Sequence, residues 1–370
     1  MRKSGTLRRY QSVFISFLIL LGATRTPSQQ EQHYLYVAMP GSDDAGEDRS
    51  VRLLVFDIDR AHRFVKRIAL WPAGPGDVET VRGIAAHAGT RRLFISTTRR
   101  LAAVDLSTEK VVWQKSYEDH CCDRFAVSPD GQTIYAPAFG GPKWYVINAA
   151  TGELRTTVGA PGWARDAMYS RDGGRVYLSA WESDVLSVAD TSRNAIVKPV
   201  GPFGGYLCPF TLNARGTLAF ANVDGLVGFE VGDLQTGLIL DSVEAQGYDK
   251  DAAEKYECPS HGIGFTPDER ELWIADGVQN RLHVFDATVY PPAPLTSLEL
   301  PAPPAWISFS VDGRYVYPST GDVVDARARK IVATLEDDRR VTARSEQILE
   351  IDFADGRPIR SAQRIGAGPK

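Results

Sequence analysis

Apolar and polar positions alternate along most of this chain in short runs, and turn-forming residues interrupt the runs at near-regular intervals. Six segments share one turn signature: "HAGTRRLFIST" (87–97), "SPDGQTIYAPA" (128–138), "SRDGGRVYLSA" (170–180), "NARGTLAFANV" (213–223), "TPDERELWIAD" (266–276) and "SVDGRYVYPST" (310–320). Their starts are 41, 42, 43, 53 and 44 residues apart. Each follows an apolar stretch such as "RFAV" (124–127) or "GIGF" (262–265), and each continues into an alternating one such as "TIYAPA" (133–138). Alternation at period two predicts strands, and Asp-Gly between two of them suits a hairpin whose glycine takes a positive φ.

Further strand signals complete each unit: "YVIN" and "ELRTTV" within 145–158, "LHVFD" (282–286), "VVD" and "KIVATL" within 323–335. Four strands per repeat of this length are the signature of a propeller blade. At the N-terminus "YLYVAM" (34–39), "VRLLVFDI" (51–58) and "FVKRIAL" (64–70) read as the outer three strands of a blade lacking its innermost one. The C-terminal "EQILEIDF" (346–353) can supply it, which would close the ring and remove two exposed sheet edges. The expected fold is therefore all-β, a seven-bladed β-propeller whose N- and C-terminal strands close one blade. Helix is expected only within residues 1–23 and around 249–255. The expected organisation is an export signal over 1–23, a linker over 24–33, the propeller over 34–355 and a C-terminal tail over 356–370.

The stretch "FAVSPDGQTIYAPA" (125–138) followed by "WYVINAATGELRTTV" (144–158) resembles the repeat of YVTN-type seven-bladed propellers, bacterial proteins that are often exported. The resemblance spans roughly residues 34–355 and concerns turns and sheet-forming positions. It implies the fold, and function has to be argued from the site.

Composition narrows the class. With 43% hydrophobic and 24% charged residues the chain has the make-up of a packed protein. Arg2, Lys3, Arg8 and Arg9 precede the uncharged run "YQSVFISFLILLGAT" (10–24), a basic segment followed by an apolar one as in a secretory signal. That run is shorter than the roughly twenty residues needed to cross a bilayer, so cleavage is expected and no transmembrane segment should remain. A periplasmic or extracellular location follows. Losing four basic residues and no acidic ones takes the net charge from −4 to about −8, which argues against nucleic acid as a partner.

Aligning the blades on the shared turn places Arg82, Asp123, Arg165, Cys208, His261 and Ala305 at equivalent positions near the mouth of the central tunnel. Arg124, Asp166 and Trp306 occupy the next position, and His120 lies just ahead of Asp123. The functional reading is a ligand site in which Arg82 and Arg165 hold an anion while His261 handles a proton. The structural reading is that Asp123 pairs with the arginines and His261 bonds a neighbouring loop inside a water-filled tunnel. The stretch "PSHGIGFTPD" (259–268) is also similar to a blade of propeller lactonases, and that resemblance implies His261 as general base and Arg165 as oxyanion stabiliser. Calcium-dependent sugar lactonases use a Glu, Asn and Asp set at the axis, whereas Asp123 is the only acid at the first aligned position here, so no calcium is expected.

Cys121, Cys122, Cys208 and Cys258 all lie close to the aligned tunnel position, and an even number in an exported protein points to disulfides. Pairing Cys208 with Cys258 would pin the loop 242–257 and leave Cys121 and Cys122 as a vicinal pair or free thiols. A zinc or copper site from Cys122, Cys208, His261 and His120 is the sharper alternative, disfavoured because no CxxC, HExxH or CxxCH spacing occurs. No cofactor is expected. The same face carries Trp71, Glu118, Asp119, Trp144, Trp163, Trp181, Glu182, Phe203, Tyr206 and Asp276, a candidate contact surface, while Trp113 and Trp273 sit inside strand signals and are expected in the core. The expectation is an exported monomer that binds a small molecule or a protein at the mouth face. A lactonase-type hydrolase is the alternative, and a redox role beside a quinone or copper enzyme rests on the cysteines alone.

Overall fold

The computed structural model describes Met1 and residues 31–40, 50–72, 79–118, 121–253 and 255–362. Apart from Met1, the expected export signal lies outside the described residues, as does His120. Seven antiparallel sheets make up the described chain, one of five strands and six of four. They form a seven-bladed β-propeller. Regular helix among the described residues amounts to one turn at Lys250–Ala253, inside the acidic segment, and a 3₁₀ turn at Ile58–Arg60.

Ring closure follows from the two chain ends. The strand Glu31–Met39 pairs with Ile348–Ala354 in an antiparallel register that sets Tyr34 opposite Ile351 and Tyr36 opposite Leu349. Two boundaries differ from the sequence expectation. The first strand starts at Glu31, three residues inside the expected linker, and Arg357–Ser361 forms a fifth strand where a tail was expected. That strand reaches the next blade, where the Ser361 hydroxyl donates to the Ala86 carbonyl at 2.9 Å.

The repeated turn has a local cause. Ser170, Thr266 and Ser310 each donate a hydroxyl hydrogen bond to the Asp two residues on (Asp172, Asp268, Asp312), at 2.6, 2.7 and 2.7 Å. The same hydroxyls accept from the backbone N–H five residues on, at 2.9, 3.1 and 2.8 Å, which closes the hairpin. The following residue must be left-handed, with φ of 73° at Gly173 and 72° at Gly313, and in the fifth repeat Glu269 accepts 55°.

Between blades the core is aromatic. Phe220 packs edge-on against Phe265 with ring centroids 4.9 Å apart, and Phe229 does the same to Phe285 at 5.0 Å. Trp113 and Trp273 are buried as their strand positions predicted. The tunnel encloses a cavity of about 220 Å³ lined by Ile84, Phe125, Met168, Ile263, Phe309 and Leu349 among others. Its walls are largely apolar, with Arg124, Trp306 and Glu346 also among the lining residues.

The cysteines all pair: Cys208 bonds Cys258 with Cα atoms 5.9 Å apart, and Cys121 bonds Cys122. The first bridge ties the strand Leu207–Leu212 of one blade to the segment leading into the next. No helix among the described residues is long and apolar enough to cross a membrane.

Candidate functional site at the tunnel mouth

The residues that the alignment singled out share a backbone device. At the mouth end of four innermost strands the pairing with the second strand skips a position. Val81 faces Thr97 and Gly83 faces Ser96, which leaves Arg82 as the extra residue. Ala164 faces Ala180 and Asp166 faces Ser179, which leaves Arg165. The same irregularity spans Cys208 between Leu207 and Phe210, and His261 between Ser260 and Ile263. A bulge turns the extra side chain out of the strand alternation, so Arg82, Arg165 and His261 are aimed by bulges rather than by the pleat.

His261 is held from both sides. Its Nδ1–H donates to the Ala305 carbonyl at 2.7 Å, because a carbonyl can only accept. Nε2 therefore carries the lone pair and accepts from Arg165 Nη2 at 3.3 Å. The His261 carbonyl accepts from Asn222 Nδ2 at 2.8 Å. Gly262 permits the approach, since a Cβ there would stand 2.7 Å from the backbone nitrogen of Ile307 in the adjacent blade. Burial, and then the positive charge of Arg124, push the imidazole down to about 4, with Glu346 opposing.

Three guanidinium groups surround Asp123. Arg124 donates to Glu346 at 2.6 Å and lies 4.1 Å above the Trp306 ring. Arg165 stacks on Trp181 at 4.1 Å and Arg82 on Phe139 at 4.9 Å. All three act on Asp123: burial pushes its carboxyl up, and Arg124, Arg165 and Arg82 pull it back. Asp123 accepts from the Arg124 backbone N–H at 3.0 Å, and Asp166 from that of Ala167 at 2.8 Å. Arg124 and Asp166 are bridged by backbone pairing between neighbouring blades. Glu346 supports Arg124, whereas Arg82 and Arg165 make no hydrogen bond to a carboxylate among the described residues. The Nε–H groups of Arg82, Arg124 and Arg165 are buried without a partner.

The structure thus brings Arg82, Asp123, Arg124, Arg165, Asp166, His261 and Trp306 to one mouth, while Cys208 is diverted to its disulfide. The aromatic and acidic face divides. Trp71 is buried and donates to Glu79 at 3.1 Å, Trp144 donates to the Asp166 carbonyl at 3.1 Å, Phe203 is buried, and Asp276 pairs with His283 at 3.1 Å. Trp163, Trp181, Glu118, Glu182 and Tyr206 are exposed, and Asp119 lies outside the described residues. Sequence reasoning missed Glu346, Asn222 and Phe139. Glu346 precedes the closing strand, which lacks the repeated turn; registering that strand on the others by its apolar positions would have found it.

No family model matches this chain, and a comparison with curated proteins returns no match. Among solved structures, a chain of Kuenenia stuttgartiensis hydrazine synthase is similar, with a TM-score of 0.59 at 13% identity over 76% of this chain and 88% of that one. At that identity the likeness is one of fold.

Proposed function

We propose that this protein is an exported binding module of the YVTN-repeat propeller type that holds a small anion at the mouth of its tunnel. The observation that carries the reading is the state of Arg82 and Arg165, two half-buried guanidinium groups without a carboxylate hydrogen bond among the described residues, each with a buried, unpartnered Nε–H. Guanidinium cannot discharge by losing a proton, and a buried N–H without an acceptor costs roughly 1–3 kcal/mol. A carboxylate or similar oxyanion fits this donor set. Export is supported by the basic and apolar pattern of residues 1–23 together with the Cys208–Cys258 bridge.

The lactonase alternative is the weaker reading. A general base works best with a pKa near the operating pH, and His261 lies at about 4 with its free lone pair already engaged by Arg165.

Calorimetric titration with small carboxylates tests the proposal, with a lactone panel run in parallel. Binding that weakens with salt and disappears in the Arg82→Ala/Arg165→Ala double variant is expected. Turnover of a lactone lost in His261→Ala would overturn it in favour of the hydrolase, and no binding of any small oxyanion would sink it outright.

A further inference from the structure

We infer that the anion is a carboxylate carried on a ring with a flat apolar face, a uronic acid or an aromatic acid, and that Trp163 is the platform for the ring. This inference rests on the anion-binding reading above. In each blade the loops into the first strand and between the second and third strands lie at the mouth. Phe139, Trp163, Trp181, Tyr206 and Tyr256 belong to such segments and are exposed; the remaining exposed aromatic among the described residues, Tyr290, lies between a third and a fourth strand on the opposite face. Exposed aromatics therefore concentrate where the arginines are.

Within that group Trp163 and Trp181 sit directly opposite each other on neighbouring strands. Trp181 is occupied, since Arg165 covers its ring at 4.1 Å. Trp163 is 55% exposed and has no ring or cation contact among the described residues. Arg165 is two positions along the same strand, and its guanidinium lies over Trp181, the residue directly opposite Trp163. A carboxylate accepting from Arg165 would bring whatever carries it over Trp163. A six-membered ring, whether the C–H face of a pyranose or an arene, matches an indole in size and stacks on it, whereas acetate leaves it bare.

The test is titration of the full exported protein with acetate, glucuronate, benzoate and the neutral methyl glucoside. At least one ring acid should bind roughly tenfold more tightly than acetate, the fold-change expected of one aromatic stack. Trp163→Ala should remove that preference and leave acetate binding unchanged, and Arg165→Ala should weaken both. The tighter ring acid identifies the source, saccharide or aromatic. Equal affinity for acetate and both ring acids would overturn the ring platform while leaving the anion site standing. Methyl glucoside binding as tightly as glucuronate would overturn the carboxylate, and no binding of any acid would remove the anion reading itself. Trp163 is exposed, so its variant should fold, and an unchanged melting curve confirms that the comparison is fair.

Discussion

The tunnel mouth and the seam where the chain ends meet both bury charge, and they resolve it in opposite ways. At the seam Glu350 and Asp352 point to one side of the closing strand and are almost fully buried. Arg360 donates to Asp352 at 2.8 Å and the Val311 N–H donates to Glu350 at 2.8 Å, which leaves one carboxyl more than the cations can match. Burial, and then Asp352, push Glu350 up to about 9, so a proton neutralises the excess from within. At the mouth Arg82, Arg124 and Arg165 stand against Asp123, Asp166 and Glu346, so the charges balance in number, and what stays unmet is hydrogen bonding: the three Nε–H groups are buried without a partner, on guanidiniums that keep their protons at any ordinary pH. Under the proposed function those donors are the ones a bound anion would satisfy. The seam meets its need with a proton of its own, and the mouth, on that proposal, with a ligand.

The most drastic way to break this comparison is to remove the seam. Truncation after Asp338 deletes the strand that pairs with Glu31–Met39, and the open ring should aggregate or lose cooperative unfolding. A truncated protein that melts like the intact one would refute closure at this place. Next in size, Arg360→Ala leaves Asp352 buried without its cation and should destabilise by on the order of 3 kcal/mol in chemical denaturation, with ligand binding untouched. Equal loss of binding and stability would show that seam and mouth are one unit.

At the mouth the pattern should invert. His261→Ala removes the acceptor that fixes Arg165 and should weaken anion binding by about 1–3 kcal/mol while moving the thermal midpoint by a few degrees at most. A variant that unfolds readily yet binds normally would make the histidine a structural spoke.

The smallest effect per step is in pH, at most about 1.4 kcal/mol per unit for each group. Glu350 has a raised pKa, so its contribution is complete below the ordinary carboxyl range and is lost as pH climbs toward 9. His261 and His62, both lowered to about 4 chiefly by burial, contribute fully above 6.5 and lose it as pH falls toward 4. Together they put the stability maximum near pH 6.5, and Glu350→Gln should flatten the alkaline side in a melting series. An unchanged alkaline limb in that variant would mean that the seam carries no such proton.

The blades were legible because their signals are local. A Ser or Thr two residues before Asp, a left-handed residue after it and flanking apolar alternation are all neighbours in the chain, and four of the six repeats state them in full. The closing strand was legible from its alternation and from the edge that would otherwise stay exposed. Aligning on the turn also brought Arg82, Asp123, Arg165 and His261 together at the mouth, since equivalent positions of repeated units meet at the axis.

Which of those residues touch was decided only in three dimensions. Glu346 reaches Arg124 across 222 positions of sequence, and His261 reaches Arg165 across 96. Both contacts exist because ring closure and bulges bring side chains from different blades to one axis, and no local pattern encodes either. The same holds for the aromatic face: Trp144 and Trp163 look alike in the sequence, yet one is sealed under the Asp166 carbonyl and the other is open to solvent. Strands form from neighbours along the chain, so the sequence by itself determined the ring. A buried guanidinium N–H without an acceptor is a property of everything around it, so only the tertiary structure could decide that those of Arg82, Arg124 and Arg165 are left so at the mouth.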